Sequence, residues 1–306
     1  MKKWIVFLLP ALMLVQFAFA QINKADSTVQ VIGYWDKNEK QSYSITVNKY
    51  RVSGTDTSHR KSSSYEVAVT IVDSTANSYT IEWEYDYTAF LGDSIPQPVK
   101  DAIPQLKIII KTDEMGAFKE VVNWKELRDY WVNMLDVSLA QVRQTPEAKK
   151  ILNETLKLFS TKEAIEGVGI KDILQFYTFH GGNYKLGEEL TDTQQLPNFM
   201  GGKPFEAEVT VLLDDIDFED DNSILRISTV VDPEQLTKAT FDLLKSTAAK
   251  TGLPPPDTSD LPFLKNETQI ASVIHGSSGW VIYSFLTKEV SISGVVTVEE
   301  RIIELK

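Results

Sequence analysis

Alternation of apolar and polar residues with a period of two is the feature that most constrains how this chain folds. Tyr65, Val67, Val69 and Ile71 are separated by polar or small residues, and the same pattern runs from Tyr79 to Tyr87. Successive side chains of a strand point to opposite faces, so this pattern predicts strands with one buried face. We therefore predict a chain built mainly of antiparallel strands joined by short polar turns.

The same reasoning places strands on both sides of a helical centre. Further strands are predicted at Gln41 to Ser53, Leu106 to Lys111, Phe118 to Val122, Phe205 to Leu213, Ser223 to Val231, Ile270 to His275, Gly279 to Leu286 and Val295 to Leu305. From Asn123 the apolar residues recur every three or four positions, which predicts amphipathic helices. These helices are expected at Trp124 to Val142, Pro146 to about Phe159, Lys171 to Phe179 and from Pro233 onward.

The first twenty residues have the composition of a secretory signal peptide. Lys2 and Lys3 precede an apolar run from Trp4 to Phe17, and Ala18-Phe19-Ala20 supplies small residues before a cut. A charged start, a short apolar core and this ending are typical of such peptides. We expect cleavage after Ala20 and a periplasmic or extracellular product.

The net charge of the chain limits which molecules it can bind. The formal net charge is -12, and loss of Lys2 and Lys3 would make it more negative. A nucleic acid would be repelled by that field, so we expect no nucleic-acid partner.

The chain has no cysteine, so its stability must come from a buried core. No second apolar run is long enough to span a bilayer, and we predict no transmembrane anchor.

Asp214 to Asn222, written DDIDFEDDN, is the stretch that most resembles a metal site. A helix-loop-helix calcium loop needs glycine at its sixth position and a bidentate glutamate at its twelfth. Counted from Asp215, those positions hold Asp220 and Arg226. We therefore predict a solvated hairpin turn with no bound metal.

No catalytic pattern is complete. Glu82, Glu84 and Asp86 lie two residues apart, which fits a solvent-facing strand surface better than an acid pair across a cleft. The run from Gly276 to Gly279 resembles a nucleophile elbow, but Trp280 stands where the motif requires glycine. We predict no enzyme activity, no catalytic residue and no cofactor.

The order of elements predicts one α+β domain over residues 21–306. Its core would be a curved, mostly antiparallel sheet packed on a central group of helices. The segment Phe205 to Val211 repeats the pattern of Tyr65 to Ile71, and each is followed by a turn and another strand. One interpretation is an internal duplication, with β-rich halves at about 30–122 and 183–306 around a helical segment at 123–180.

Two longer stretches carry a resemblance to a group of proteins. The stretches are KTDEMGAFKEVVNWKELRDYW and GSSGWVIYSFLTKEVSISGVVTVEERIIEL. Together with the N-terminal segment and the Tyr-rich strands, they resemble uncharacterised exported proteins of Bacteroidota. In element order the chain is also similar to the open, half-barrel sheets of periplasmic lipoprotein carriers. That resemblance implies a half-barrel fold and carries over no site residue.

Three functions remain open. The first is a binding module that holds an apolar or lipid-like molecule against an aromatic inner face under the Trp124 to Val142 helix. The second is a protein-interaction or structural module of the cell envelope, and the third is an unrecognised hydrolase. The predicted ligand-binding residues are Trp83, Tyr85, Trp124, Trp131, Trp280 and Tyr283.

Overall fold

The computed structural model describes residues 21–86, 105–140, 161–198, 202–251 and 264–306. Its strands are β1 (Ile22–Asn23), β2 (Thr28–Gln30), β3 (Lys40–Ser53), β4 (Asp56–Thr75), β5 (Ser78–Asp86), β6 (Leu106–Asp113), β7 (Phe118–Val121), β8 (Asn183–Lys185), β9 (Glu189–Leu196), β10 (Phe205–Asp217), β11 (Asn222–Val231), β12 (Lys265–His275), β13 (Val281–Ile292) and β14 (Val295–Leu305). The helices in these ranges are α1 (Trp124–Ala140), α2 (Lys162–Val168), α3 (Lys171–Phe176) and α4 (Pro233–Thr251). The helix expected from Pro146 to Phe159 lies outside the described residues.

The main sheet is antiparallel and has eleven strands among the described residues. Their order is β7-β6-β5-β4-β3-β14-β13-β12-β11-β10-β9, and the sheet does not close on itself. Pairing of β3 with β14 joins the two β-rich parts of the chain, from Tyr43 with Leu305 to Ser53 with Val295. The prediction of a mostly antiparallel sheet is confirmed, and both predicted halves contribute to this one sheet.

Two strands extend beyond what side-chain alternation indicated. The first part of β4, residues 56–64, is polar and largely exposed, yet it pairs with β3 up to the turn at Gly54. Edge strand β9 is exposed along nearly all its length and pairs only with β10 in the described part of the sheet. Backbone hydrogen bonds to a neighbouring strand hold both segments, and these bonds leave no pattern in the side chains.

The core lies against one face of the sheet. We call this the inner face; it carries Tyr43, Ile45, Val69 and Trp83, all buried. Helix α3 and the turn after it pack on this face, and Phe176 contacts Trp83 with ring centroids 5.2 Å apart. A small sheet of β1, β2 and β8 lies beside this core, where the Val31 and Gly182 backbones are hydrogen-bonded.

The helices divide the inner face between them. The expectation that the Trp124 to Val142 helix covers the aromatic inner face is wrong. Helix α3 covers the centre of that face. Helix α1 contacts β6 and α2 near the sheet edge instead. Helix α4 packs further along the inner face, where Leu236 joins Phe205 and Val231 in a second apolar cluster. No helix of the described residues is both long and apolar enough to cross a membrane.

Candidate functional site

The predicted aromatic site falls largely into the core. Trp83 is fully buried and Tyr85 nearly so. Trp280 is buried as well, its indole donates a hydrogen bond to Glu39 at 2.6 Å, and its ring lies 5.1 Å from that of Trp35. Rings that already fill the space between a sheet and α3 stabilise the fold by burial and edge-to-face contact. In the described structure they act as core residues.

The other three predicted residues do not join them on one surface. Trp124 and Trp131 are half-buried on α1 and pack against the margin of the core. Tyr283 pairs with Glu304 and Val273, and these residues lie on the outer face of the sheet, opposite the core. The expectation that Tyr283 lies on the inner aromatic face is therefore wrong. The six residues do not form a single site.

His180 is buried among the aromatic side chains that lie between α3 and the inner face. Its Nε2 donates to the Gly279 carbonyl at 2.8 Å, and its ring stacks on Phe176 at 6.0 Å. Burial lowers the pKa of His180 to about 4, because the surrounding rings leave no water to solvate an imidazolium. This histidine is neutral at neutral pH and has a structural role.

A buried ionic network lies at the end of this core. Arg301 Nε lies 3.0 Å from Asp172 Oδ1, and the Tyr65 hydroxyl donates to Asp172 Oδ2 at 2.8 Å. Burial raises the pKa of Asp172, against the charge of Arg301 and hydrogen bonds from Tyr65 and Tyr85. Asp172 is on α3 and Arg301 on β14, so the ion pair fixes the helix over the centre of the sheet.

Next to this network, cationic side chains run across the inner face. Register pairs Lys288 with Glu299, Glu299 with Lys49 and Lys49 with Lys61. Glu299 is bonded to Lys49 at 3.0 Å and to Arg301 Nη2 at 2.8 Å. We call Lys49, Lys61, Lys171 and Lys288 the lysine cluster. Lys171 comes from α3 and lies within electrostatic range of Lys49 and Lys288.

Burial and the neighbouring charge of Glu299 act on the pKa of Lys171 in opposite directions. Its side chain is exposed to water. Desolvation nevertheless lowers the pKa of Lys171, while Glu299 acts in the opposite direction. Burial also works to raise the pKa of Glu299, but the hydrogen bond from Lys49 and the charge of Lys171 outweigh it and lower that pKa.

An apolar row adjoins the lysine cluster. Val211 pairs with Ile227, Ile227 with Ile270, and Ile270 with Leu286, so the four side chains lie side by side on the inner face. We call these residues the apolar row. Leu286 is buried, whereas the other three are only half-buried. The row lies between the part of the face covered by α3 and the cluster under α4.

Two depressions lie outside the lysine cluster, and Ile227 and Ile270 of the apolar row are among the residues that line the second. One, of 830 Å³, lies beside α4 and the end of β9, and its lining mixes Lys203, Asp242 and Gln235 with Phe205 and Leu243. The other, of 320 Å³, is lined mainly by outer-face residues. These include Leu212, Ser228, Ala271 and Phe285. The second depression is an apolar-floored recess on the face away from the core.

The acidic stretch is a turn, as predicted. Asp217 pairs with Asn222 at the end of the β10–β11 hairpin, and Asp217 Oδ1 accepts the Glu219 and Asp220 amides at 2.9 and 3.1 Å. Among the residues the structure describes, no group of three or more His, Cys, Asp or Glu side chains is arranged to hold a metal ion. Asp217 binds backbone amides of its own turn, whereas Asp214 pairs with Arg226 at 2.7 Å.

The run from Gly276 to Gly279 forms a second turn against the first. His275 Nδ1 is 2.8 Å from Ser278 Oγ, and His275 Nε2 is 3.9 Å from Asp221 Oδ2. That second distance exceeds a hydrogen bond, and Asp221 Oδ2 already accepts the Ser277 amide at 2.8 Å. A Cβ on Gly279 would lie 2.1 Å from the Ile32 carbonyl oxygen, so packing requires this glycine. The contacts account for the motif as a closed turn.

The three carboxylates at Glu82, Glu84 and Asp86 lie on the outer face. Lys107 pairs with Glu82 at 3.0 Å and with Glu84 at 3.4 Å across β5 and β6. Exposed pairs of this kind contribute little to stability. They form a solvent-facing strand surface, which matches the expectation from their spacing.

Sequence reasoning missed the lysine cluster, although a signal was present. In β3 the inward positions read Tyr43, Ile45, Val47 and then Lys49. In β13 they include Leu286 and then Lys288. When a lysine takes the next inward position after a run of apolar residues, it indicates that the strand leaves the core at that lysine.

No protein-family model matches the chain, and no curated protein matches it. The functional proposal is built on the geometry of the inner face.

Proposed function

We propose that the chain is an exported, non-enzymatic protein that binds an apolar molecule along the inner face of a curved, half-barrel sheet. The observation that carries this proposal is the apolar row between α3 and α4. Three of its members are only partly buried where they pack against the margin of the core. The row crosses four strands that are about 4.8 Å apart, which is long enough to receive an alkyl chain or a ring system.

The alternating pattern on the outer face supports this choice. Thr210 pairs with Ser228, Ser228 with Gln269, and Gln269 with Thr287, so polar side chains occupy the outer face between the rows. Apolar side chains on the inner face are therefore not part of a generally apolar sheet. A partly open apolar surface flanked by polar groups is the usual character of a ligand site.

Irregularities of register support the curvature. Pairing shifts between Leu213 and Asp215, between Val273 and Ile274, and between Lys49 and Arg51. An extra residue on one strand bends it and increases its twist. Shifts distributed across the sheet favour a surface that curves around α3 and α4.

Binding of a neutral fluorescent dye tests this proposal. The dye N-phenylnaphthylamine is apolar and uncharged, so it reports apolar contact alone. We expect Ile227→Gln to weaken dye binding several-fold, because it places an amide in the apolar row. Val230→Gln is the matched control, since Val230 is half-buried on the same strand and faces outward between Glu208 and Glu267.

Two results would overturn the proposal. One is failure of the parent protein to bind the dye or any neutral alkyl compound. The other is equal weakening by Ile227→Gln and Val230→Gln, which would place the dye elsewhere. Native mass spectrometry of protein purified from its own host complements the dye, because it detects a co-purified lipid directly.

A second candidate function is protein interaction through the outer face. The 320 Å³ depression there and the partly exposed Tyr283 favour it. A photocrosslinking residue at Tyr283, compared with one at Ile227, distinguishes the two functions in the producing cell. A discrete protein adduct from Tyr283 alone supports interaction, whereas a lipid adduct from Ile227 supports binding.

A further inference from the structure

Charge is sorted between the two faces of the sheet. The lysine cluster lies on the inner face, although the whole chain is acidic. Carboxylates of the same strands point outward; they include Glu267, Glu289, Glu300 and Glu304. An acidic protein that collects cations on one face of its sheet has a local field there opposite to its overall field.

The carboxylates of the inner face only partly neutralise these cations. Glu299 is shared by Lys49 and Arg301, and Asp172 is engaged by Arg301. Among the described residues, Lys171 and Lys288 have no carboxylate within ion-pair distance. Helix α3 contacts β13, Lys171 is within electrostatic range of Lys288, and Glu299 pairs in register with Lys288. Two ammonium groups are therefore available to an added anion.

The cations and the apolar row are contiguous. Lys288 follows Leu286 by two residues on the same face of β13, which separates the two side-chain positions by about 7 Å. Helix α3, which carries Lys171, contacts β13, and Lys171 is within electrostatic range of Lys288. A molecule lying on the apolar row would therefore place its end group beside these two ammonium groups.

We infer that Lys171 and Lys288, supported by Lys49, bind the anionic head group of an amphiphile whose apolar chain lies on the apolar row. The head group is a carboxylate or a phosphate, which these point charges bind equally well in geometric terms. This inference rests on the proposed function and names the class of its ligand. Arg301 takes no part, because Asp172 and Glu299 already occupy its guanidinium.

A matched ligand series tests the inference by isothermal titration calorimetry. Decanoate, decyl phosphate, decan-1-ol and decyltrimethylammonium share one chain length and differ in the head group. Inorganic phosphate supplies the anion without the chain. We expect the two anionic amphiphiles to bind at least about tenfold more tightly than the alcohol, because charge-assisted contacts in a partly desolvated site are strong. The cationic amphiphile should bind most weakly.

Variants of the lysines assign the preference to this site. In Lys171→Gln/Lys288→Gln, affinity for decanoate should fall about tenfold, to the level of the alcohol, while affinity for decan-1-ol stays the same. The control is Lys40→Gln, which removes an exposed lysine from the outer face of β3 and should change neither affinity. Added salt should weaken decanoate binding and leave that of the alcohol unchanged.

The outcomes separate the inference from the proposed function. If decanoate and decan-1-ol bind equally, and the double variant changes neither, the lysine inference is wrong while apolar binding stands. Failure of every alkyl compound to bind overturns both. Binding of inorganic phosphate as tightly as decyl phosphate would identify a small-anion site and overturn the inference that the ligand is an amphiphile. Loss of decanoate affinity in Lys40→Gln as well would show a general charge effect and overturn the assignment.

Discussion

Two regions of the inner face have the same strand architecture but are filled to different degrees. We call the region under α3 the filled end and the region between α3 and α4 the open end. Under α3, Trp83, Phe176 and Trp280 interlock, and no side chain of this group is exposed. Between α3 and α4 the strands carry shorter side chains, such as Val211 and Ile227, which are only half-buried. Large rings fill the space beneath a helix, whereas short aliphatic side chains leave room above themselves.

This difference teaches that aromatic content is a poor guide to the binding surface here. Aromatic residues bury the most area, so they concentrate where the fold needs its core. The open part of the face is identified by moderate apolarity and by the cations that border it. If the filled end serves stability and the open end serves binding, substitutions in the two regions should have different effects.

The largest expected effect is on stability at the filled end. Trp83→Ala should lower the free energy of unfolding by about 3 to 5 kcal/mol, because it leaves a large cavity beneath Phe176. Ile227→Ala in the open row should cost less than half as much, since that side chain is only half-buried. Urea unfolding followed by circular dichroism measures both. Equal losses would remove the distinction between the two ends.

The second-largest effect on stability is expected for the buried ion pair of Asp172 and Arg301. Arg301→Met leaves Asp172 without its cationic partner in a buried position and should cost about 3 kcal/mol. The double variant Asp172→Leu/Arg301→Met removes both charges and should regain most of that loss, again measured by urea unfolding. If the double variant is as unstable as the sum of the single variants, the two residues do not act as a pair.

Acid should weaken the filled end through His180. The pKa of His180 is about 4 in the folded protein, below the ordinary value of 6.5 for an exposed histidine. Between these values the unfolded chain binds a proton that the folded chain does not, so stability falls as pH falls from 6.5 to 4. The loss approaches about 3 kcal/mol at the lower limit.

The histidine contribution is measurable as a slope. His180→Phe keeps a ring against Phe176 and removes the titration, so the decline of unfolding free energy over this pH range should become shallower than in the parent protein. His275→Asn is the control, because His275 is a partly exposed residue of the turn beside Ser278. A parent-like slope in His180→Phe would show that another group causes the acid effect.

The smallest effect is expected in the acidic turn. Asp215→Asn/Asp217→Asn/Asp220→Asn should change stability by no more than about 0.5 kcal/mol, with or without calcium. Asparagine oxygens can accept the same amide hydrogen bonds that Asp217 accepts. A calcium-dependent rise in melting temperature that the triple variant loses would make this turn a metal site.

The sequence predicted the strands and the type of sheet because burial on one face leaves a two-residue pattern. It predicted β3, β5, β6 and β14 nearly to their ends. It did not predict β9 or the polar start of β4, where backbone pairing alone maintains the strand. Nor did it distinguish Tyr283 from Trp280, because a bulge between Val273 and Ile274 shifts which side chains face inward.

The site was harder to predict than the fold. Pattern identifies which residues face inward, but not which inward residues a helix covers. That depends on where α3 lies, and α3 is fixed by Asp172 with Arg301 across more than a hundred residues of chain. Trp83 and Ile227 have the same pattern in sequence and different surroundings in the fold.

Site-directed labelling tests most directly whether a ligand lies on the inner face. The chain has no cysteine, so a single introduced thiol reports one position. Thr229→Cys places the thiol on the inner face between Val209 and Thr268, and Ser228→Cys places it on the outer face of the same strand. Decanoate at about ten times its dissociation constant should slow maleimide labelling of the inner thiol about tenfold and leave the outer thiol unaffected. Protection of the outer thiol alone, or of neither thiol while decanoate is bound, would contradict binding on the inner face.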